Sequence, residues 1–108
     1  MAAFFELRSY RIKDGQRDRW VTWMEEEVIP FQVERGMAIV GSWIDQEQPD
    51  HSIWMRRFES EEERTALYKA VYEDPQWATE FRPHIQEMLD RSRMVVTRLE
   101  GTPRSAMR

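Results

Sequence analysis

The stretch Phe4-Phe5-Glu6-Leu7-Arg8-Ser9-Tyr10-Arg11-Ile12 constrains this chain more than any other. It is rich in aromatic and apolar residues and runs into Lys13-Asp14-Gly15, a turn signal, so it reads as a strand in the middle of a small sheet. Glu6, Arg8 and Tyr10 recur at a spacing of two. Strand side chains alternate between faces, so these three point the same way. A carboxylate, a guanidinium and a phenol on one face of a central strand are costly to bury unless they pair or bind something. Two readings follow. One is a structural row of ion pairs and hydrogen bonds across the sheet or a dimer interface. The other is a ligand pocket, in which Arg8 holds a carboxylate or other anion in a bidentate fork, Tyr10 orients or protonates an oxygen, and Glu6 fixes the arginine.

After the turn, residues 16–35 read as a helix. Trp20, Met24, Val28 and Phe31 recur at steps of four, four and three, with Val21 and Trp23 widening the stripe. Pro30 lacks an N–H and predicts a kink near Ile29-Pro30, and Gly36 a stop. Residues 37–44 and 51–58 read as strands, and the short polar link between them makes an antiparallel hairpin. Ser60-Glu61-Glu62-Glu63 is a capping box. The helix it opens turns Leu67, Ala70 and Val71 inward, with Tyr68 and Tyr72 beside them. Asp74-Pro75 and Arg82-Pro83 each restart a helix, and Ile85, Met88 and Leu89 supply an apolar face. Residues 93–99 are the last strand.

The order β-α-β-β-α-(α)-β gives an α+β fold of ferredoxin-like type: a four-stranded antiparallel sheet with helices on one face. Residues 1–100 form the single domain, and 101–108 a small polar tail expected to be mobile unless a partner orders it. Both faces of the hairpin strands carry large apolar groups, so the uncovered sheet face predicts a homodimer packed sheet to sheet.

Composition narrows the function. The net charge of −4, from 16 basic and 20 acidic residues, argues against a nucleic-acid partner. No run approaches the length of a membrane span, and Met1-Ala2-Ala3-Phe4 has no signal-peptide character, so the expected location is cytoplasmic. With no cysteine, thiolate chemistry is excluded. His51 and His84 are far apart and lack ligand spacing, and no phosphate loop or serine elbow is present, so no metal and no cofactor is expected. Five tryptophans and seven methionines imply a bulky core or apolar surface that a partner covers.

Four stretches together resemble the NIPSNAP family of dimeric α+β barrel proteins: Phe5-Glu6-Leu7-Arg8-Ser9-Tyr10, Gly41-Ser42-Trp43, Arg57-Phe58-Glu59-Ser60 and Asp74-Pro75-Gln76-Trp77. The resemblance implies the fold and the dimer. Barrel relatives include cofactor-independent monooxygenases, isomerases and haem enzymes, so it implies no single activity. Where similar sequences carry His-Leu-Trp, this chain has Trp54-Met55-Arg56, which removes that histidine as an acid or base.

Trp54, Arg56 and Phe58 share a face of strand three. With strands one and three as neighbours, Arg8 and Arg56 are expected to flank one cavity with Trp54 as its wall. The candidate ligand-binding residues are therefore Glu6, Arg8, Tyr10, Trp54 and Arg56, and the candidate proton-transfer groups are Tyr10 and His84. Trp43 reads as a core or interface group, Trp77 as an anchor for its short helix, and His51 as solvated. The expected activity is binding of a small organic acid or aromatic ligand. The alternatives are a cofactor-free monooxygenase or isomerase-like enzyme, or an oligomerisation module without catalysis.

Overall fold

A computed structural model describes residues 3–108. The strands are β1 (Phe4–Ile12), β2 (Ala38–Ile44), β3 (His51–Phe58) and β4 (Leu89–Leu99). All pairings are antiparallel, and the strand order is β2-β3-β1-β4. That is the ferredoxin-like arrangement, with β1 and β3 central and the helices on one face.

Two helical segments follow the same local rule. Helix α1 (Arg17–Trp23) passes through a wide π turn (Met24–Val28) into α2 (Ile29–Glu34). A second π turn (Trp77–Phe81) leads into α4 (Arg82–Met88). Each widened turn ends two residues before a proline, Pro30 or Pro83. A proline cannot donate to the carbonyl four residues back and its ring clashes there, so the ladder shifts to the residue five back. The Ile29 N–H bonds to the Met24 carbonyl and the Arg82 N–H to that of Trp77. The expected kink near Ile29-Pro30 is thus a widened turn. Gly36, at φ 101°, stops α2 in a conformation that a side chain would strain.

Helix α3 (Glu61–Tyr72) is capped by Ser60, whose hydroxyl accepts from the Glu63 N–H. The Glu63 carboxylate reaches back to the Glu59 N–H, one residue before the cap, rather than to that of Ser60 itself. Val71 is fully buried, while Ala70, expected inward, is exposed. The last strand begins at Leu89, earlier than residue 93. Leu89 extends the helical stripe in sequence, but its backbone is extended and it pairs with Ile12.

The helix-facing side of the sheet carries Phe4, Tyr10, Ile12, Trp54 and Phe58 into one core with Trp20, Met24, Val28, Phe31, Val71, Trp77 and Phe81. The other face leaves Trp43, Val95 and Leu99 exposed, beside half-buried Leu7, Ile53 and Met55. Trp43, 45% exposed, is not a core residue of this chain. Its ring lies over Gly41, where a Cβ would come within 2.2 Å of it, so a side chain there would displace the ring. The C-terminal segment folds back to β3: Arg57 Nε donates to the Arg108 carbonyl at 2.9 Å. No helix among the described residues is long and apolar enough to cross a membrane.

Candidate functional site

Period-two alternation brings Glu6, Arg8 and Tyr10 of β1 beside Arg56 and Trp54 of β3, because Glu6 pairs with Arg56 and Arg8 with Trp54 across the ladder. Helix α3 lies over them and presents Arg64, Tyr68 and Tyr72 at steps of four, one face of the helix.

Glu6 is the hub of a buried polar cluster. Its Oε1 accepts from Arg56 Nη2 at 2.8 Å and from the Tyr68 hydroxyl at 2.6 Å, and its Oε2 accepts from Arg64 Nε at 2.6 Å. Burial works to raise the Glu6 pKa, but the hydrogen bonds from Tyr68 and Arg64 and the charge of Arg56 outweigh it and hold the carboxyl below its ordinary range. Tyr68 is pushed up to about 12, chiefly by burial and by donating its proton to Glu6. Arg56 is fully buried. Beyond Glu6 it donates to Gln32 Oε1 at 3.0 Å and to the Tyr72 hydroxyl at 2.7 Å.

Arg8 stands apart. Its nearest Glu6 oxygen is 3.8 Å away, and Glu6 is committed to Arg56 and Arg64. The Arg8 guanidinium instead donates to the Tyr10 hydroxyl at 2.6 Å, with longer contacts to the Tyr68 hydroxyl and the Met94 sulfur. Glu6 therefore fixes Arg56 rather than Arg8.

Next to Arg8 lies a cavity of about 240 Å³ between sheet and helices. Arg8, Tyr10 and Trp54 line it, with Trp20, Trp23, Met24 and Val28 from the first helical arm, Tyr72 and Trp77 from the second, and Arg82 and Arg91 at further points of the wall. The two π turns supply Met24, Val28 and Trp77. A break in the β1–β4 ladder supplies Arg91 and Met94: Ser9 pairs with Val95 and Arg11 with Asp90, so residues 91–94 bow out opposite Tyr10 alone. Asp90 braces this excursion by accepting from the Ser92 N–H and hydroxyl at 3.2 and 2.6 Å.

The lining holds three arginines and no aspartate, glutamate or histidine. Its polar groups are nearly all donors. Tyr10 and Tyr72 accept from arginine N–H groups that can only donate, which leaves each phenol proton without an acceptor among the described residues. The Trp54 indole N–H and the Gln32 amide nitrogen, both on lining residues, are buried without a partner among those residues. Such donors are costly unless an acceptor is supplied.

The remaining candidates fall elsewhere. Arg56 does not line the cavity; it stands behind the wall and holds Gln32 and Tyr72. His84 is half exposed, lies beyond Trp23, and lines only the outer grooves. Trp77 anchors its segment by stacking on Phe81 at 5.1 Å and also walls the cavity. His51, expected to be solvated, is partly buried: Nδ1 meets Asp45 Oδ2 at 2.9 Å and Nε2 meets the Ser9 hydroxyl at 2.7 Å, stapling the β2–β3 hairpin to β1 on the open face. Sequence reasoning missed Gln32, Arg64, Arg82, Arg91 and Met94 as parts of the site. The four-residue spacing of Arg64, Tyr68 and Tyr72 was a signal for α3, whereas nothing in the sequence marks the bowed segment.

A ferredoxin-like sheet with a donor-lined cavity beneath its helices defines a small α+β protein with a candidate anion site. The NIPSNAP family model matches residues 5–100, and the chain belongs to that family. No curated protein matches the chain. Among solved structures, a NIPSNAP family protein from Agrobacterium tumefaciens is 24% identical, with a TM-score of 0.86 over 99% of this chain and 92% of that one. A second from the same organism, a NIPSNAP family protein with unknown function, is 22% identical with a TM-score of 0.87, over 99% and 95%. A putative antibiotic biosynthesis monooxygenase from Bacteroides thetaiotaomicron is 15% identical with a TM-score of 0.65, over 96% and 91%. At these identities the likeness is one of fold.

Proposed function

We propose that the protein binds a small organic acid or aromatic anion in the cavity between sheet and helices, one per chain, as a homodimer packed through the open sheet faces. The observation that carries the ligand reading is the cavity wall itself: three arginines, no carboxylate, and an Arg8 whose nearest carboxylate, that of Glu6, already serves two other guanidiniums. An anion completes that balance, and the surrounding indoles suit a flat apolar body. The volume, about 240 Å³, exceeds the roughly 150 Å³ that holds a benzene ring, so one aromatic ring with a polar substituent fits.

The test is calorimetry with benzoate and naphthoate alongside thermal melting. Arg8→Met is expected to weaken binding by roughly 1.5–3 kcal/mol, the worth of a hydrogen bond to a charged group, or about ten- to a hundredfold. The assembly should keep its mass. A panel of organic acids that never shifts the melting temperature would overturn the reading, as would loss of the assembly in the variant.

Proton transfer on the bound molecule is the second reading. Tyr10 is the group that favours it, since its hydroxyl lies within the lining. No lining carboxylate or imidazole is present to act as a base, so binding is the stronger conclusion.

The dimer reading rests on Trp43, Val95 and Leu99, exposed together on a sheet face. Trp43→Glu is expected to shift the mass in light scattering from dimer to monomer. The same change should cost the isolated fold less than about 1 kcal/mol, as for an exposed site. A wild-type protein that is monomeric in dilute solution would remove this arrangement.

A further inference from the structure

The donor-only character of the lining says more about the ligand than its net charge does. A carboxylate needs one guanidinium. This wall offers, besides Arg8, two phenol protons and an indole N–H that all lack acceptors among the described residues. The Tyr10 hydroxyl is held at 2.6 Å by Arg8 Nε, so the guanidinium polarises it and turns its proton away from the arginine. Tyr10 and Trp54 are neighbours, with ring centroids 6.4 Å apart. Across the ladder from Tyr10, residues 91–94 bow away from β1, and Arg91 and Met94 join Tyr10 in the lining.

We infer that the cavity selects the deprotonated form of an acidic phenol or enol, with Tyr10 donating to the ligand's charged oxygen. The inference rests on the anion-binding reading and narrows its ligand class. A neutral phenol or enol brings its own proton into a space whose charged groups are all donors, where its O–H would meet only phenol oxygens and a thioether already engaged by arginine N–H groups. The oxyanion has none to place and accepts from the wall instead. Binding therefore favours ionisation, and the pKa of the bound molecule falls. The wall supplies no base, so the proton leaves to solvent before or during entry, and the step is a proton equilibrium with no bond to carbon made or broken.

The experiment uses the intact protein and 4-nitrophenol, whose phenolate is yellow and whose neutral form is not, in a buffer below the probe's own pKa. Addition of protein is expected to raise the phenolate band, with the bound probe's apparent pKa lowered by about one unit or more, a tenfold bias. Excess benzoate should release it. Tyr10→Phe keeps the ring that packs on Trp20 and Trp54 and should remove most of the shift. Melting of each variant checks that it folds, and Trp54→Phe provides a second donor deletion expected to reduce the shift. Nitrophenol that binds in its neutral form while benzoate binds normally would overturn this inference and leave anion binding standing. An undiminished shift in Tyr10→Phe would overturn the assignment to Tyr10. Failure of both probes to bind would overturn both readings together.

Discussion

Replacing Glu6 with glutamine is expected to cost roughly 3–5 kcal/mol of folding free energy, because it leaves buried guanidiniums without their carboxylate. Glu6 meets Arg56 at 2.8 Å and Arg64 at 2.6 Å, and Arg56 has no access to solvent. The amide keeps the shape of the side chain but not its charge, and its NH2 would face N–H donors. The pH dependence follows from the direction of the Glu6 shift. Its carboxyl in the folded chain lies below the ordinary 4.5, so the stabilisation it provides is fully present above that value. It is lost as the pH falls through the lowered folded-state value. Denaturant melts between neutrality and strong acid should show wild-type stability declining below about pH 4.5 and a flatter profile in Glu6→Gln. Equal slopes, or a loss under about 1 kcal/mol at neutral pH, would show that the cluster is not what holds the sheet to α3.

Trp20→Ala is expected to cost a similar ~3–5 kcal/mol, the usual range for a buried tryptophan emptied to alanine. Trp20 is only 2% exposed and presents an edge contact to Tyr10 at 5.7 Å and a tilted one to Trp23 at 5.6 Å. It also lines the cavity, so its loss enlarges a space that already exists. A small aromatic such as indole should therefore raise the melting temperature of the variant more than that of the wild type, since it refills a hole only the folded state has. Destabilisation without rescue would indicate that the core collapses into the gap. A cost below about 1 kcal/mol would show that Trp20 is not a core element.

The alternation of Glu6, Arg8 and Tyr10 was legible because a strand permits only one arrangement of such residues, and Trp54 and Arg56 followed from placing β3 beside β1. The partnership was not legible. Spacing along β1 cannot tell whether Glu6 serves Arg8 or Arg56; that choice depends on how α3 descends and where Arg64 and Tyr68 reach. The bowed segment of β4 escaped for a related reason. Arg91 to Met94 alternate no differently from a paired strand, and only the failure to match Tyr10 residue for residue pushes them outward. Leu89 misled because a buried apolar residue at a helix–strand junction satisfies either periodicity. His84 drew notice as a rare titratable group, yet Trp23 stands between it and the cavity.

The paired prolines have a consequence for how this chain tolerates insertion and deletion. Each widened turn, at Met24–Val28 and at Trp77–Phe81, stores one surplus residue of winding. Deleting one of Glu25–Glu27 would let the coil close to regular pitch with the residues on either side still in phase. Gln32 would keep its reach to Arg56, and Phe31 its contacts with Trp77 and Phe81. The cost of a single missing codon there would thus fall on Pro30, whose ring would meet the carbonyl four residues back, rather than on the cavity's back wall.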